Sequence, residues 1–301
     1  MEFAAGGDRG TAGAGSVRVM AEVFAVLDRG VIPADEAFLY GDDLGVMRGD
    51  GVFETMNVRQ GRPFLLPEHV ARMVRSAELL ELDLPDTERL TRLVMDACRA
   101  FGAQREGAVR ITCTRGREGG GPPTVYVTVN PVPEAVIATR RDGLDLAVLS
   151  LGYSVDTRAR APWLLGGAKC LSYAVTMAAQ RHAQATGHDD ALWCSEDGYA
   201  LEGLTSTLVW QEGDTLLTVP ADTGILAGTT ARYVLQRAAE AGMRTAERRV
   251  RVAELTGVDG IWMTSSVRGI AHVHTLDGVS IGQSELADTL REYGGFPVPA
   301  G

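Results

Sequence analysis

Residues 152–167 set the limit on what this chain can build. The stretch carries Pro162 and the pair Gly166-Gly167, and its apolar residues recur with neither the period of a strand nor that of a helix. A chain of 301 residues is at the size where a single core divides. The interruption therefore separates a domain over 20–150 from a second over 169–301, with an interdomain segment at 151–168. Residues 1–19 are Gly- and Ala-rich, lack the basic-then-apolar order of a secretory signal, and read as a flexible tail, with Met20 as a candidate native start.

Both units mix strands and helices. Apolar patterning predicts strands over 21–28 and 52–58, the second closed into a hairpin by Gln60-Gly61-Arg62. Pro67 opens a helix to about Glu81, with Val70, Met73, Val74, Ala77 and Leu80 at core spacing, and another helix covers 87–101. Strands follow at 108–114 and 125–129, around the turn Glu118-Gly-Gly-Gly-Pro-Pro123. A further strand lies at 144–149, and 131–143 carries no assigned element. The second unit opens with a helix from about Lys169 to Thr186. Strands near 191–194, 207–211 and 216–219, a helix over 229–241, and strands near 259–264 and 270–276 complete it. The fold class is α/β, of the α+β kind.

Charge and cysteine usage narrow the partners. Asp and Glu number 39 against 29 Lys and Arg, a formal charge of -10 that disfavours nucleic acid and anionic lipid. No apolar run approaches the ~20 residues needed to span a bilayer, so neither nucleic acid nor membrane is expected, and a small molecule is. Cys98, Cys113, Cys170 and Cys194 form no Cys-x-x-Cys pair, which suits free thiols in a reducing cytoplasm. His272 and His274 share a strand face without a third ligand nearby, so they read as structural and no metal is expected.

Among the 29 basic residues, Lys169 is the single lysine. It follows Leu164-Leu-Gly-Gly-Ala168 and starts the expected apolar helix, where dipole and desolvation push an amine toward the neutral form that a Schiff-base lysine needs. A surface lysine on a frayed first turn is the other reading. Gly224-Ile-Leu-Ala-Gly228 feeds Thr229-Thr230 into a helix N-terminus, either a phosphate site or a plain cap. His69, Arg72 and Ser76 share one helix face, where Arg72 is a phosphate clamp or a solvated arginine. Glu202, between Leu201 and Gly203 and after the turn at Asp197-Gly198, puts a carboxylate near a strand end, exposed or functional.

The order of these features resembles the class IV family of pyridoxal 5′-phosphate (PLP) enzymes, the fold type IV aminotransferases and lyases. Arg48-Gly-Asp-Gly-Val-Phe-Glu-Thr55, Gly61-Arg-Pro63, His69-Val-Ala-Arg72 and Ser76-Ala77 are similar to its N-terminal signature. Lys169, Asp197-Gly198, Glu202-Gly203, Gly224-Ile-Leu-Ala-Gly228-Thr-Thr230 and His274-Thr-Leu-Asp-Gly278 continue the match, which covers about residues 22–280. The resemblance implies a small N-terminal and a larger C-terminal α/β domain with PLP between them, in a homodimer. It implies that Lys169 is the Schiff-base lysine and catalytic base, and that Glu202 holds the pyridine nitrogen. Arg72, Thr229, Thr230 and Ser266, in Thr264-Ser-Ser266, would bind the phosphate. The sequence departs from the family pattern in four places: Arg48 for an aromatic, Thr207 for Asn, Ala227 for Pro and Ala231 for Arg.

Two activities follow from this resemblance. Lys169-Cys-Leu-Ser172 is similar to the Lys-x-Leu-Asn/Ser form of lyases and D-amino-acid transaminases. A lyase forming 4-aminobenzoate and pyruvate from 4-amino-4-deoxychorismate acts on a substrate with two carboxylates, which suits Arg48, Arg115 and Arg117 as substrate contacts. The alternative is an aminotransferase acting on D- or branched-chain amino acids with a keto acid acceptor. A non-catalytic binding protein on the same fold is a third reading, against which the presence of both Lys169 and Glu202 argues.

Overall fold

Period-two alternation sorts the N-terminal side chains of residues 22–296, which the computed structural model describes. The expectations for 1–19 and Met20 lie outside these residues. Among the described residues, β1 (Val23–Val26), β2 (Gly30–Ile32), β3 (Gly51–Arg59), β4 (Arg62–Pro63), β5 (Gly107–Thr114) and β6 (Thr124–Pro131) form an antiparallel sheet in the order β2-β1-β6-β5-β3-β4. Val52, Met56 and Val58 of β3 share a buried cluster with Val109, Ile111 and Cys113 of β5. A short helix α1 (Leu44–Arg48) precedes β3, and α2 (Leu66–Leu79) and α3 (Thr87–Phe101) lie in the following connection. Met73 and Ala77 of α2 and Leu90, Leu93, Val94 and Ala97 of α3 cover the apolar face of the sheet. Each fully buried Leu or Val there contributes about 1.5–3 kcal/mol. Asp86 caps α3 by accepting the Glu88 N–H, which is why that helix starts where its period does.

The unassigned stretch 131–143 contains α4 (Glu134–Asp142). Its one buried residue is Arg140, which pairs with Glu106 and donates to the carbonyls of Val267 and Arg268. A helix held by a buried cation has no apolar stripe to announce it, and this one ties the first sheet to the second.

The second sheet comprises β7 (Leu144–Ser150), β8 (Asp190–Cys194), β9 (Ala200–Gly203), β10 (Thr207–Glu212), β11 (Thr215–Thr218), β12 (Arg244–Glu247), β13 (Gly260–Ser265), β14 (Gly269–Leu276) and β15 (Val279–Ser280). Its order is β12-β11-β10-β13-β14-β7-β8-β9, with β15 on β14. The connections carry α5 (Thr157–Arg160), α6 (Ala174–Ala185), α7 (Thr229–Glu240) and α8 (Val252–Leu255), and α9 (Leu286–Tyr293) follows. Alternation again divides the faces: Leu208, Trp210, Ile261 and Met263 join the cluster containing Ala179 and Ala183 of α6, while Val209, Trp262 and Ile270 pack with α7 and α9. The α/β class is as expected. Among the described residues, no helix is long and apolar enough to cross a membrane.

The helix expected to start at Lys169 starts at Ala174. Residues 169–171 run extended beside β3: the Phe53 N–H donates to the Lys169 carbonyl, Val52 and Cys170 form an antiparallel bridge, and the Leu171 N–H donates to the Gly51 carbonyl. Backbone pairing with a distant strand overrides the local helical pattern, so no helix dipole acts on Lys169 from α6.

Candidate functional site

Lys169 is held at its backbone by α2 and β3 and at its amine by two aromatic side chains. Its N–H donates to Ser76 Oγ at 3.0 Å, which together with the Phe53 bond clamps it between α2 and β3. Its Nζ lies 4.4 Å from the centre of the Phe53 ring and 3.4 Å from Tyr173 Oη. Burial lowers its pKa from 10.5 to about 8, with Arg72 and Arg110 adding to the fall and Glu54 and Glu202 opposing it. Burial likewise pushes the Tyr173 phenol up to about 12, so it stays protonated.

The face of β3 and β5 turned away from α2 and α3 carries Phe53 and Arg110. The Arg110 guanidinium stacks 3.7 Å from the centre of the Phe53 ring, the same ring that carries the Lys169 amine. Sequence reasoning missed Arg110. The signal was its place between Val109 and Ile111, where alternation puts a charged residue opposite the core.

The helix face of His69, Arg72 and Ser76 is buried, contrary to a solvated arginine. Arg72 donates from Nε and Nη2 to the two oxygens of Glu54, both at 2.7 Å, and from Nη1 to the Ala227 carbonyl at 3.0 Å. Burial would raise the Glu54 carboxyl, but Arg72 and His69 hold it at about 2. The arginine therefore reaches the loop before α7 as a member of a buried ion pair. His69 Nδ1 is 2.6 Å from Glu54 Oε2, and its Nε2 lies 3.2 Å from Thr229 Oγ1 and 3.3 Å from Ser266 Oγ. His69 and Glu54 were not assigned a role from sequence, although both stand in the quoted motifs. Their contact spans two elements, so spacing alone did not reveal it.

Thr229 and Thr230 are buried in the first turn of α7, whose N-cap is Gly228 with no side chain on the first N–H groups. A Cβ at 228 would stand 2.1 Å from Thr207 Oγ1, so the close approach of the two strands of chain requires glycine. Glu202, on β9, accepts from the Leu226 N–H at 3.0 Å and lies 3.5 Å from Arg158 Nη1. Burial raises its carboxyl pKa against the pull of Arg158 and that N–H. A cation brought against it would restore the charge.

The three substrate-binding arginines expected from sequence lie at one cleft and in two ion pairs. Arg48 ends α1, exposed, at a cleft of about 340 Å³ shared with Leu80, Leu165, Cys170 and Ser172. Arg115 pairs with Asp50 at 2.7 Å and donates to the carbonyls of Leu80 and Glu81, securing the end of α2. Arg117 pairs with exposed Asp42 and stacks on Tyr40. Arg115 and Arg117 are paired with nearby carboxylates, Arg48 faces a cleft that includes Cys170, and the guanidinium groups that act on the Lys169 amine are those of Arg72 and Arg110.

An amine with a pKa lowered to about 8, a part-buried carboxyl, and a helix N-terminus flanked by hydroxyls match the aldehyde, ring nitrogen and phosphate of PLP. Residues 51–276 match the amino-transferase class IV family model. The chain is 43% identical over 275 residues to a bifunctional aminodeoxychorismate lyase / D-amino acid transaminase of Mycobacterium tuberculosis, covering 88% of this chain and 95% of that protein. It is 28% identical over 274 residues to an aminodeoxychorismate lyase of Bacillus subtilis, with 88% and 86% covered. The PLP-bound form of a hypothetical aminotransferase from M. tuberculosis has a TM-score of 0.88 at 42% identity, covering 91% of this chain and 97% of that one.

Proposed function

The chain belongs to the class IV aminotransferase family of PLP-dependent enzymes, and from that premise we propose that it is a 4-amino-4-deoxychorismate lyase. The observation that carries this reading is the Lys169 amine and the Arg110 guanidinium on one aromatic ring, a base and a fixed cation for a carboxylate. The relative from M. tuberculosis, whose name includes the lyase activity, supports it.

PLP, when bound, supplies an electron sink that acidifies the C–H beside the substrate amine. We assign its phosphate to Arg72, Thr229, Thr230 and Ser266, and its ring nitrogen to Glu202. Lys169 Nζ, neutral above about pH 8, takes the proton from the amine-bearing carbon. The electron pair left behind breaks the neighbouring bond to the enolpyruvyl oxygen. The ring becomes aromatic, and the enolate that leaves takes one proton at carbon to become pyruvate. Arg110 pairs with a substrate carboxylate and holds the C–H toward Nζ. Tyr173 accepts a hydrogen bond from the lysine and limits its swing.

The test supplies purified protein with 4-amino-4-deoxychorismate, generated in place by a synthase, in the absence of any keto acid. Equimolar 4-aminobenzoate and pyruvate are expected over many turnovers. A yellow, PLP-loaded protein that releases neither overturns the lyase reading. Amino-group transfer from a D-amino acid to a keto acid would then establish the alternative, the other activity named for the same relative.

We also infer a homodimer. Trp163 is 77% exposed and Val175 66%, and Leu164 and Met177 are exposed as well, large apolar side chains that precede and follow the Lys169 segment in the chain. Light scattering should give twice the chain mass of 32.1 kDa. A single-chain mass at micromolar concentration would refute it.

A further inference from the structure

We propose that His69 takes up a proton when a phosphate enters the cup formed by Thr229 and Ser266, so that its one Nε2–H is shared between the two hydroxyl oxygens and turns their hydrogens onto the phosphate. The inference rests on the assignment of the phosphate to these two residues.

The argument begins with counting hydrogens. Each hydroxyl has one hydrogen to give. In the present arrangement His69 Nε2 faces two hydroxyls, at 3.2 and 3.3 Å, while Nδ1 faces Glu54 Oε2 at 2.6 Å. Glu54 is an ionised carboxylate that accepts only, so Nδ1 carries a hydrogen and a neutral ring has a bare Nε2. A bare Nε2 has one lone pair, so it competes with any anion for the hydrogen of Thr229 or of Ser266. A phosphate dianion that won both would leave Nε2 buried without a partner, at a ring that is 1% exposed. Protonation resolves the conflict: the single Nε2–H is shared in a three-centre bond between the two hydroxyl oxygens, and both hydroxyl hydrogens serve the phosphate.

The charges around the ring agree. Glu54 of β3 favours the imidazolium, whereas Arg72 on the same helix and Lys169 oppose it, and Thr229 of α7 and Ser266 of the β13–β14 turn are uncharged. Burial is the largest influence and keeps the ring neutral in the cup as it stands. An incoming dianion adds the negative charge that tips the balance. His69 is thus a positioning residue that acts on the phosphate through two hydroxyls.

The test is calorimetric. The full chain, stripped of cofactor, is titrated at pH 8 with pyridoxamine 5′-phosphate, which cannot bond covalently to Lys169, in buffers of different ionisation enthalpy. Wild-type protein should take up about one proton more per ligand than His69→Gln, since the second phosphate pKa of about 6 leaves the ligand a dianion at this pH. Nitrogen-15 spectra of histidine-labelled wild-type protein provide a readout free of any variant: one of the 5 histidines should move to the imidazolium position on ligand addition. Equal uptake by wild type and His69→Gln, or five unchanged neutral rings, overturns the proposal. Thr229→Ala with Ser266→Ala separates it from its premise. If this double variant binds the ligand as wild type does, the phosphate assignment fails; if it binds about tenfold more weakly while His69 stays neutral in wild type, the proton uptake alone fails.

Discussion

Lys169→Ala should lose about 10⁴-fold in turnover and yield no borohydride-trapped adduct between cofactor and chain. No other lysine exists among the 301 residues to take its place. The substitution spares the fold, because the bonds that clamp residue 169 to Ser76 and Phe53 are made by its backbone. The wild-type adduct carries a second expectation. Burial, helped by Arg72 and Arg110, lowers the amine pKa from 10.5 to about 8. Below that pH the amine is an ammonium without a lone pair, and above it is a nucleophile. Adduct formation by the stripped chain should therefore rise with pH through a midpoint near 8 and level off, measured by the absorbance of the trapped product. An adduct surviving in the alanine variant would show that another group is the attachment point, and a wild-type rise that continues toward pH 10.5 would show that Lys169 titrates as an ordinary lysine.

How much of this was legible in the sequence depends on the range of the interactions involved. Helices α2, α3 and α7 follow their apolar period closely, because each buries one stripe against a sheet. Lys169 stood out by being the single lysine, yet its conformation did not, since residues 169–171 pair with β3 and no local pattern encodes a distant partner. The His69, Arg72 and Ser76 face was visible as spacing, but its burial was not, because Glu54 arrives from another element. Arg115 and Arg117 suit a substrate with two carboxylates by residue type alone, and both pair instead with nearby carboxylates, Asp50 and Asp42. Helix α4 escaped because its inward residue is Arg140, a charge buried by pairing with Glu106.

Arg110→Gln should lower kcat/KM for a carboxylate substrate by about 10²-fold, the scale of losing a charge-assisted hydrogen bond. Glutamine keeps a polar group beside Thr112 and a flat amide over Phe53, so the sheet face stays covered while the charge goes. If the carboxylate is held equally before and during proton transfer, the loss falls on KM. If the pairing aims the C–H at Nζ, kcat falls with it. Arg110→Lys should recover part of the loss, since it restores charge without the planar fork. A separate effect follows from the shared ring: Arg110 opposes protonation of Lys169, so its removal raises the amine pKa and moves the alkaline rise in rate to higher pH. The two effects divide the explanations. A shifted pH profile with kcat/KM restored once pH is matched would make Arg110 a tuner of Lys169 alone, and the substrate carboxylate would then need another cation.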